Sequence, residues 1–238
     1  MRDFLQRRLP LIATGAVVAG LAGVNVAKHL APSTSVALGI GATAALLVAA
    51  RASGLSWADL GLDRERLWHG VAWGGGAILA VGAVYAGGLL LPITRELFVD
   101  ARYQLEAADA LRTAFVAIPL GTVLLEEVAF RSVLWGMLER HMSTNRALLT
   151  SSALFGLWHI LPSLDFAAAR GVGSEAPSPA ATALVVLGTV AFTTAGGVVA
   201  GELRRRSGHV LASAGMHWAT NALGVLGGLV AWRIISGG

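Results

Sequence analysis

The chain has 238 residues, 55% hydrophobic and 13% charged, with a mean hydropathy of +0.67. These values exclude a soluble domain and read as an integral membrane protein. It has no cysteine, which excludes disulfides, thiolate metal sites and a cysteine nucleophile. The net charge of +4 comes from basic residues scattered over short loops, so positive-inside topology explains it and no nucleic-acid surface is indicated.

The amino terminus, MRDFLQRRLP, precedes an apolar run from Leu9 to Val26. This run is longer than the h-region of a signal peptide, about 7–15 residues, and lacks a clean small-x-small site, so it reads as an uncleaved first span. A helix needs about 20 apolar residues to cross a bilayer. Stretches 9–28, 35–50, 70–91, 113–138, 147–164, 180–203 and 210–232 approach that length. The expected fold is an all-α polytopic transmembrane helical bundle of about seven spans, with eight as the alternative, forming a single membrane domain over 1–238. Pro32, Pro92, Pro162, Pro177 and Pro179 mark span ends. An amino terminus in the cytoplasm puts 11 basic residues inside and six outside, so N-in, C-out is expected.

Between the third and fourth stretches, residues 95–112 alternate apolar and charged positions and read as an amphipathic helix on the membrane surface. Residues 165–180, with Gly171, Gly173, Pro177 and Pro179, read as a long loop. The pairs Gly197/Gly201 and Gly224/Gly228 suit close helix packing. Arg204, Arg205 and Arg206 read as a topology anchor with anionic lipid contact as the secondary role. His29, His69, His141 and His209 fall at span ends or in loops and read as solvated surface.

The fourth stretch carries Glu126, Glu127 and Arg131. Each charge at bilayer depth costs about 2.5–3.5 kcal/mol unless partnered. Glu127 and Arg131, four apart with the acid first, share a helix face and can neutralise each other. Glu126 is rotated about 100° away and must find its partner in another span. Pro119 donates no backbone bond and frees a carbonyl near Phe115, opening a polar kink beside the glutamates. The fifth stretch offers Phe155 and His159, and the seventh His217 and Asn221, each pair at i,i+4. From their nearest shared ends, Glu126, His159 and His217 lie about 18, 18 and 10 Å deep. They can converge in one pocket.

The ordered set EEVAFR, FGLWH and HWATN resembles the CPBP family of intramembrane proteases, which includes type II CAAX prenyl endopeptidases and bacteriocin-processing or immunity proteins. The resemblance covers roughly residues 113–225 and meets every defined position of E-E-x-x-x-R, F-x-x-x-H and H-x-x-x-N. It implies catalysis by Glu126, His159, His217 and Asn221, with Glu126 and His159 activating water and His217 and Asn221 at the oxyanion. Glu127, Arg131 and Phe155 are supporting residues.

Chemistry gives the same division of labour. No serine or cysteine nucleophile is paired with a base in this set, so water is the expected nucleophile. Glu126 can take its proton and return one to the leaving amine, while His217 and Asn221 donate to the oxyanion. No cofactor is expected. Zinc held by Glu126, His159 and His217 is the alternative, although it leaves Asn221 and Arg131 without a role. The expected partners are membrane lipids and a membrane-associated peptide substrate, at the cell membrane. A non-catalytic scaffold or immunity-type protein is the alternative from another class, and a proton-coupled transporter a third, though no internal symmetry is visible. One lysine against 17 arginines, with abundant Gly and Ala, points to a bacterium of high GC content, where prenylated substrates are not expected.

Overall fold

The structure, a computed structural model, describes residues 2–98, 105–168 and 178–236. It is 88% helical, and no strand occurs among the described residues. A helix satisfies its own backbone polar groups, which lipid cannot do. Seven helices are long and apolar enough to cross a membrane. They are α1 (Arg2–Leu30), α2 (Ser35–Ala52), α3 (Leu67–Leu90), α4 (Ala107–Leu138), α5 (Thr144–Ala168), α6 (Pro179–Ser207) and α7 (Leu211–Ser236). The polytopic helical bundle expected from hydropathy is what forms.

Two connections differ from the expectation. The segment 95–112 is not one surface helix. Its start is a short turn, Pro92–Arg95, followed by a 3-10 turn at Glu96–Phe98. Residues 107–112 already open α4, and 99–104 lie outside the described residues. Phe98 is half-buried and packs edge-on against Tyr85 of α3, with ring centroids 5.5 Å apart, so tertiary packing claims a side chain that the periodicity assigned to the membrane surface. The loop read at 165–180 begins later, because α5 runs on to Ala168. Residues 169–177 lie outside the described residues.

α4 is the centre of the bundle, and every residue from Leu125 to Leu138 is buried. A helix enclosed on all sides can hold charges only if its neighbours supply partners. Its backbone is wound as π-helix over Thr113–Ala117, Pro119–Val123 and Val128–Val133. In this register Ile118 N–H bonds to Thr113 O, five residues back. The carbonyl that Pro119 leaves free is therefore that of Ala114, not Phe115 as an α-helical count suggests. Trp218 of α7 fills the gap, its indole N–H donating to Ala114 O at 2.9 Å.

Close backbone approach fixes two helix pairs. A Cβ on Gly215 of α7 would meet Gly74 Cα of α3 at 2.8 Å, and one on Gly74 would meet Leu211 O at 2.6 Å. A Cβ on Gly156 of α5 would strike Thr194 of α6 and reach Val190 O at 2.8 Å. Gly197 and Gly201 of α6 face Ser152 and Leu148 of α5. Small residues are required wherever helices come this close.

One end of the bundle is closed by the α2–α3 connection. Leu55 and Leu60 are buried there, and Ser132 Oγ donates to Leu60 O at 2.6 Å. Arg204 is buried instead of anchoring at the surface. It donates to Asp59 O at 2.6 Å and to Arg131 O at 3.1 Å. Arg205 and Arg206 fit the surface reading better, both bonding Glu202. His69 is exposed and His29 half-buried, but His209 is 4% exposed, and its Nδ1 accepts the Leu211 N–H at 3.1 Å to cap α7. Burial holds the His209 imidazole below its ordinary pKa, and Arg204 adds to the effect.

Candidate active site

Glu126 leaves α4 toward α5 and α7 and is 3% exposed. Its Oε1 accepts the Trp158 indole N–H at 3.0 Å. Its Oε2 is buried without a hydrogen-bond partner in the protein. This oxygen lies 3.9 Å from His159 Nε2 and 3.7 Å from His217 Nε2. Residues 91 positions apart in sequence thus meet around one carboxylate oxygen.

His159 owes its placement to a break in α5. The first stretch, Thr144–Trp158, stops at His159, and helix resumes at Ile160–Ala168. Pro162 has no N–H to return to Trp158 O, and His159 N–H turns back to Gly156 O at 3.0 Å. Phe155 O then accepts His159 Nδ1 at 2.8 Å. A carbonyl can only accept, so Nδ1 carries a proton, and Nε2 is the edge turned to Glu126.

His217 is oriented from the other side. Its Nδ1 lies 2.8 Å from Glu127 Oε1, and Arg131 Nη1 stands 3.3 Å from the same oxygen. The Glu127–Arg131 pair expected from spacing is present, and it is extended to an element 90 residues away. The Arg131 guanidinium lies over the Phe155 ring at 3.9 Å. The same ring packs edge-on against His159 and His217, with centroids at 4.6 and 5.8 Å. Phe155 therefore packs against the cation and both imidazoles and helps to fix all three.

A cavity of about 240 Å³ opens beside this cluster. Its polar wall includes Glu127, Arg131, His159, His217, Thr220 and Asn221, and its apolar wall includes Val81, Phe192, Val199 and Met216. Asn221 joins it one helical turn beyond His217. Glu126 is not part of this wall and reaches it only past the two imidazoles. All seven residues singled out from the sequence are thus brought to one place. Two relationships escaped the sequence reading: the Trp158–Glu126 bond and the Glu127–His217 bond. A buried tryptophan needs an acceptor for its N–H, which was a usable signal at Trp158. Glu127 gave none, because Arg131 already satisfied it on paper.

Among the described residues, no group of three His, Asp or Glu side chains is arranged to hold a metal ion. Tetrahedral ligands about 2.05 Å from zinc stand about 3.3 Å apart. The separations of 3.7 and 3.9 Å around Glu126 Oε2 are wider than that, so the set does not fit zinc as placed.

Residues 109–223 match the family model described as type II CAAX prenyl endopeptidase Rce1-like. Over this segment the chain is similar to that family. It starts inside α4, ends in α7 and contains every residue of the cluster. The Rce1-like assignment agrees with the resemblance carried by EEVAFR, FGLWH and HWATN, and with a multi-pass membrane protein of seven apolar helices. No curated protein and no solved structure matches the chain.

Proposed function

We propose that the protein is an intramembrane endopeptidase that hydrolyses a peptide bond of a membrane-associated peptide or protein, acting as one domain with its amino terminus in the cytoplasm. The observation that carries this is the meeting of Glu126 Oε2 with the Nε2 atoms of His159 and His217. Glu126 Oε2, as a carboxylate, and His159 Nε2 are acceptors set 3.9 Å apart, a spacing that one water can bridge with its two hydrogens. As the water oxygen bonds to the substrate carbonyl carbon, its proton passes to Glu126. The carbonyl oxygen becomes an oxyanion. The C–N bond then breaks, the oxyanion collapses to a carboxyl group, and Glu126 returns the proton to the leaving amine.

The oxyanion is the business of α7. Asn221 can donate through its amide. With Nδ1–H engaged by Glu127, His217 donates from Nε2 only when both ring nitrogens carry protons. Glu127, 2.8 Å away, supplies the negative charge that makes such an imidazolium tolerable at this depth. The apolar wall of Val81, Phe192, Val199 and Met216 suits an aliphatic or aromatic residue of the substrate beside the scissile bond. The family description names prenylated CAAX substrates; for this chain the proposal stops at a membrane-associated peptide.

The test is cleavage of membrane-associated peptides by purified protein in vesicles, comparing wild type with Glu126→Gln and His159→Ala. Loss of at least about a thousandfold in both is expected. Equal cleavage in all three, or none in any, refutes the proposal and favours a scaffold or immunity-type protein. A zinc reading has one observation in its favour: both Nδ1 atoms are anchored as they are in zinc sites, one by a carboxylate and one by a carbonyl. Metal analysis of the same protein decides between them. Full activity after chelation is expected, and stoichiometric zinc whose removal abolishes cleavage would replace the water-and-carboxylate account.

A further inference from the structure

One oxygen of Glu126 is held and the other is free, and the group that holds it is Trp158. We infer that Trp158 is a positioning residue, its indole N–H fixing Glu126 Oε1 so that Oε2 faces both histidines, and that the first span holds Trp158 in place through Asn25. The inference rests on the proposed role of Glu126.

Trp158 is 6% exposed, and its ring packs edge-on against Phe130 of α4 at 5.7 Å. Its N–H is the one hydrogen-bond donor within reach of Glu126 among the described residues. A buried carboxylate without that bond has no donor on either oxygen and no reason to prefer one rotamer. The charged and titratable groups around it do not replace the indole. His159 and His217 face Oε2, Glu127 turns to His217 and Arg131, and Lys28 lies above the Trp158 ring at 6.0 Å.

The support behind Trp158 comes from outside the Rce1-like segment. Pro162 deprives Trp158 O of its helical partner, and Asn25 Nδ2 of α1 donates to that oxygen at 2.7 Å. One turn further, Lys28 Nζ donates to Gly121 O of α4 at 2.8 Å. His29 Nδ1 meets Asp165 Oδ2 beyond the break in α5 at 3.1 Å. Asn25, Lys28 and His29 stand at i, i+3 and i+4 on one face of α1. That face grips both helices that build the Glu126–Trp158 bond. A first span serving only to anchor the chain has no need of two such contacts to backbone carbonyls within the bundle; the His29–Asp165 pair is exposed and adds little.

The experiment replaces Trp158 with β-(3-benzothienyl)alanine, a shape-equivalent residue without the N–H, and in parallel makes Trp158→Phe and Asn25→Leu. Cleavage in vesicles and thermal unfolding are measured against Glu126→Gln. We expect the isostere to lower kcat about 10- to 100-fold with KM within about twofold and unfolding unchanged, and Asn25→Leu to lower kcat by a smaller factor. Trp158→Phe should follow the isostere; should it fail to fold, the isostere carries the test. Full kcat in the isostere, with Glu126→Gln inactive, overturns the inference and leaves the proposed function standing. Should Glu126→Gln cleave as wild type does, the proposed function falls, and the Trp158 indole proton resonance decides the placement alone. A resonance moved by Glu126→Gln and not by Glu127→Gln supports the bond; one moved by neither overturns it.

Discussion

His217 Nδ1 sits 2.8 Å from Glu127 Oε1, and this bond turns the opposite edge of the imidazole to Glu126. The two glutamates adjacent in sequence therefore act on the two nitrogens of one ring. Glu127 sets its orientation, and Glu126 Oε2 meets its other edge 3.7 Å from Nε2.

Replacing Glu127 by Gln keeps an acceptor for His217 Nδ1 and removes the negative charge. Cleavage should fall about 10- to 100-fold in kcat with KM little changed, a weaker effect than Glu126→Gln. Steady-state kinetics on the two variants side by side checks the ranking. A more severe loss in Glu127→Gln than in Glu126→Gln would exchange their roles.

Arg131 is 3% exposed and Glu127 is 2% exposed. Removing one member of a buried pair leaves an uncompensated charge, which costs about 3–5 kcal/mol. Arg131→Met should lower stability by that order, and adding Glu127→Gln should recover part of it. Unfolding of both variants in mild detergent by denaturant titration measures the recovery; simple additivity would mean that the two do not interact.

Gly74 and Gly75 are neighbours on α3 with opposite surroundings. A Cβ on Gly74 meets Leu211 O at 2.6 Å, whereas one on Gly75 meets nothing within 4 Å. Gly74→Ala should destabilise by about 1–3 kcal/mol through forced separation of α3 and α7. Gly75→Ala should be neutral or mildly stabilising. Paired thermal unfolding curves test the contrast.

Burial holds the His209 imidazole below its ordinary pKa, and its Nδ1 accepts the first N–H of α7. A histidine whose folded pKa lies below its unfolded value binds fewer protons when folded. Its contribution is therefore intact above the unfolded value, about 6.5, and is lost as pH falls through the lower folded value. The melting temperature should decline between about pH 7 and pH 5, and His209→Asn, which keeps a capping acceptor, should flatten that decline. An identical slope in the variant would assign the pH sensitivity to another group.

Much of this arrangement was legible because lipid makes sequence unusually explicit. Span positions follow from hydropathy, and charges in an apolar stretch announce themselves by their cost. The i,i+4 spacing of Glu127 with Arg131, and of His217 with Asn221, fixes a shared face whatever the rest of the chain does. Local register was harder to read. The carbonyl freed by Pro119 shifted from Phe115 to Ala114 because α4 winds as π-helix, a choice made by packing on α2 and α7. Asn25 and Trp158 were passed over because each is unremarkable alone, and only the break at Pro162 brings one to the other. His209 and Arg204 read as surface because they follow a span end, yet the α2–α3 connection folds over them.

The glycine contacts divide the helices around the cavity into two firmly joined pairs, α3 with α7 and α5 with α6. His159 belongs to one pair and His217 to the other, so the distance between the imidazoles is set by how the pairs meet, on α4 and through the Phe155–His217 contact. The cluster is thus a seam between two tightly packed helix pairs, closed by Phe155 of one against His217 of the other.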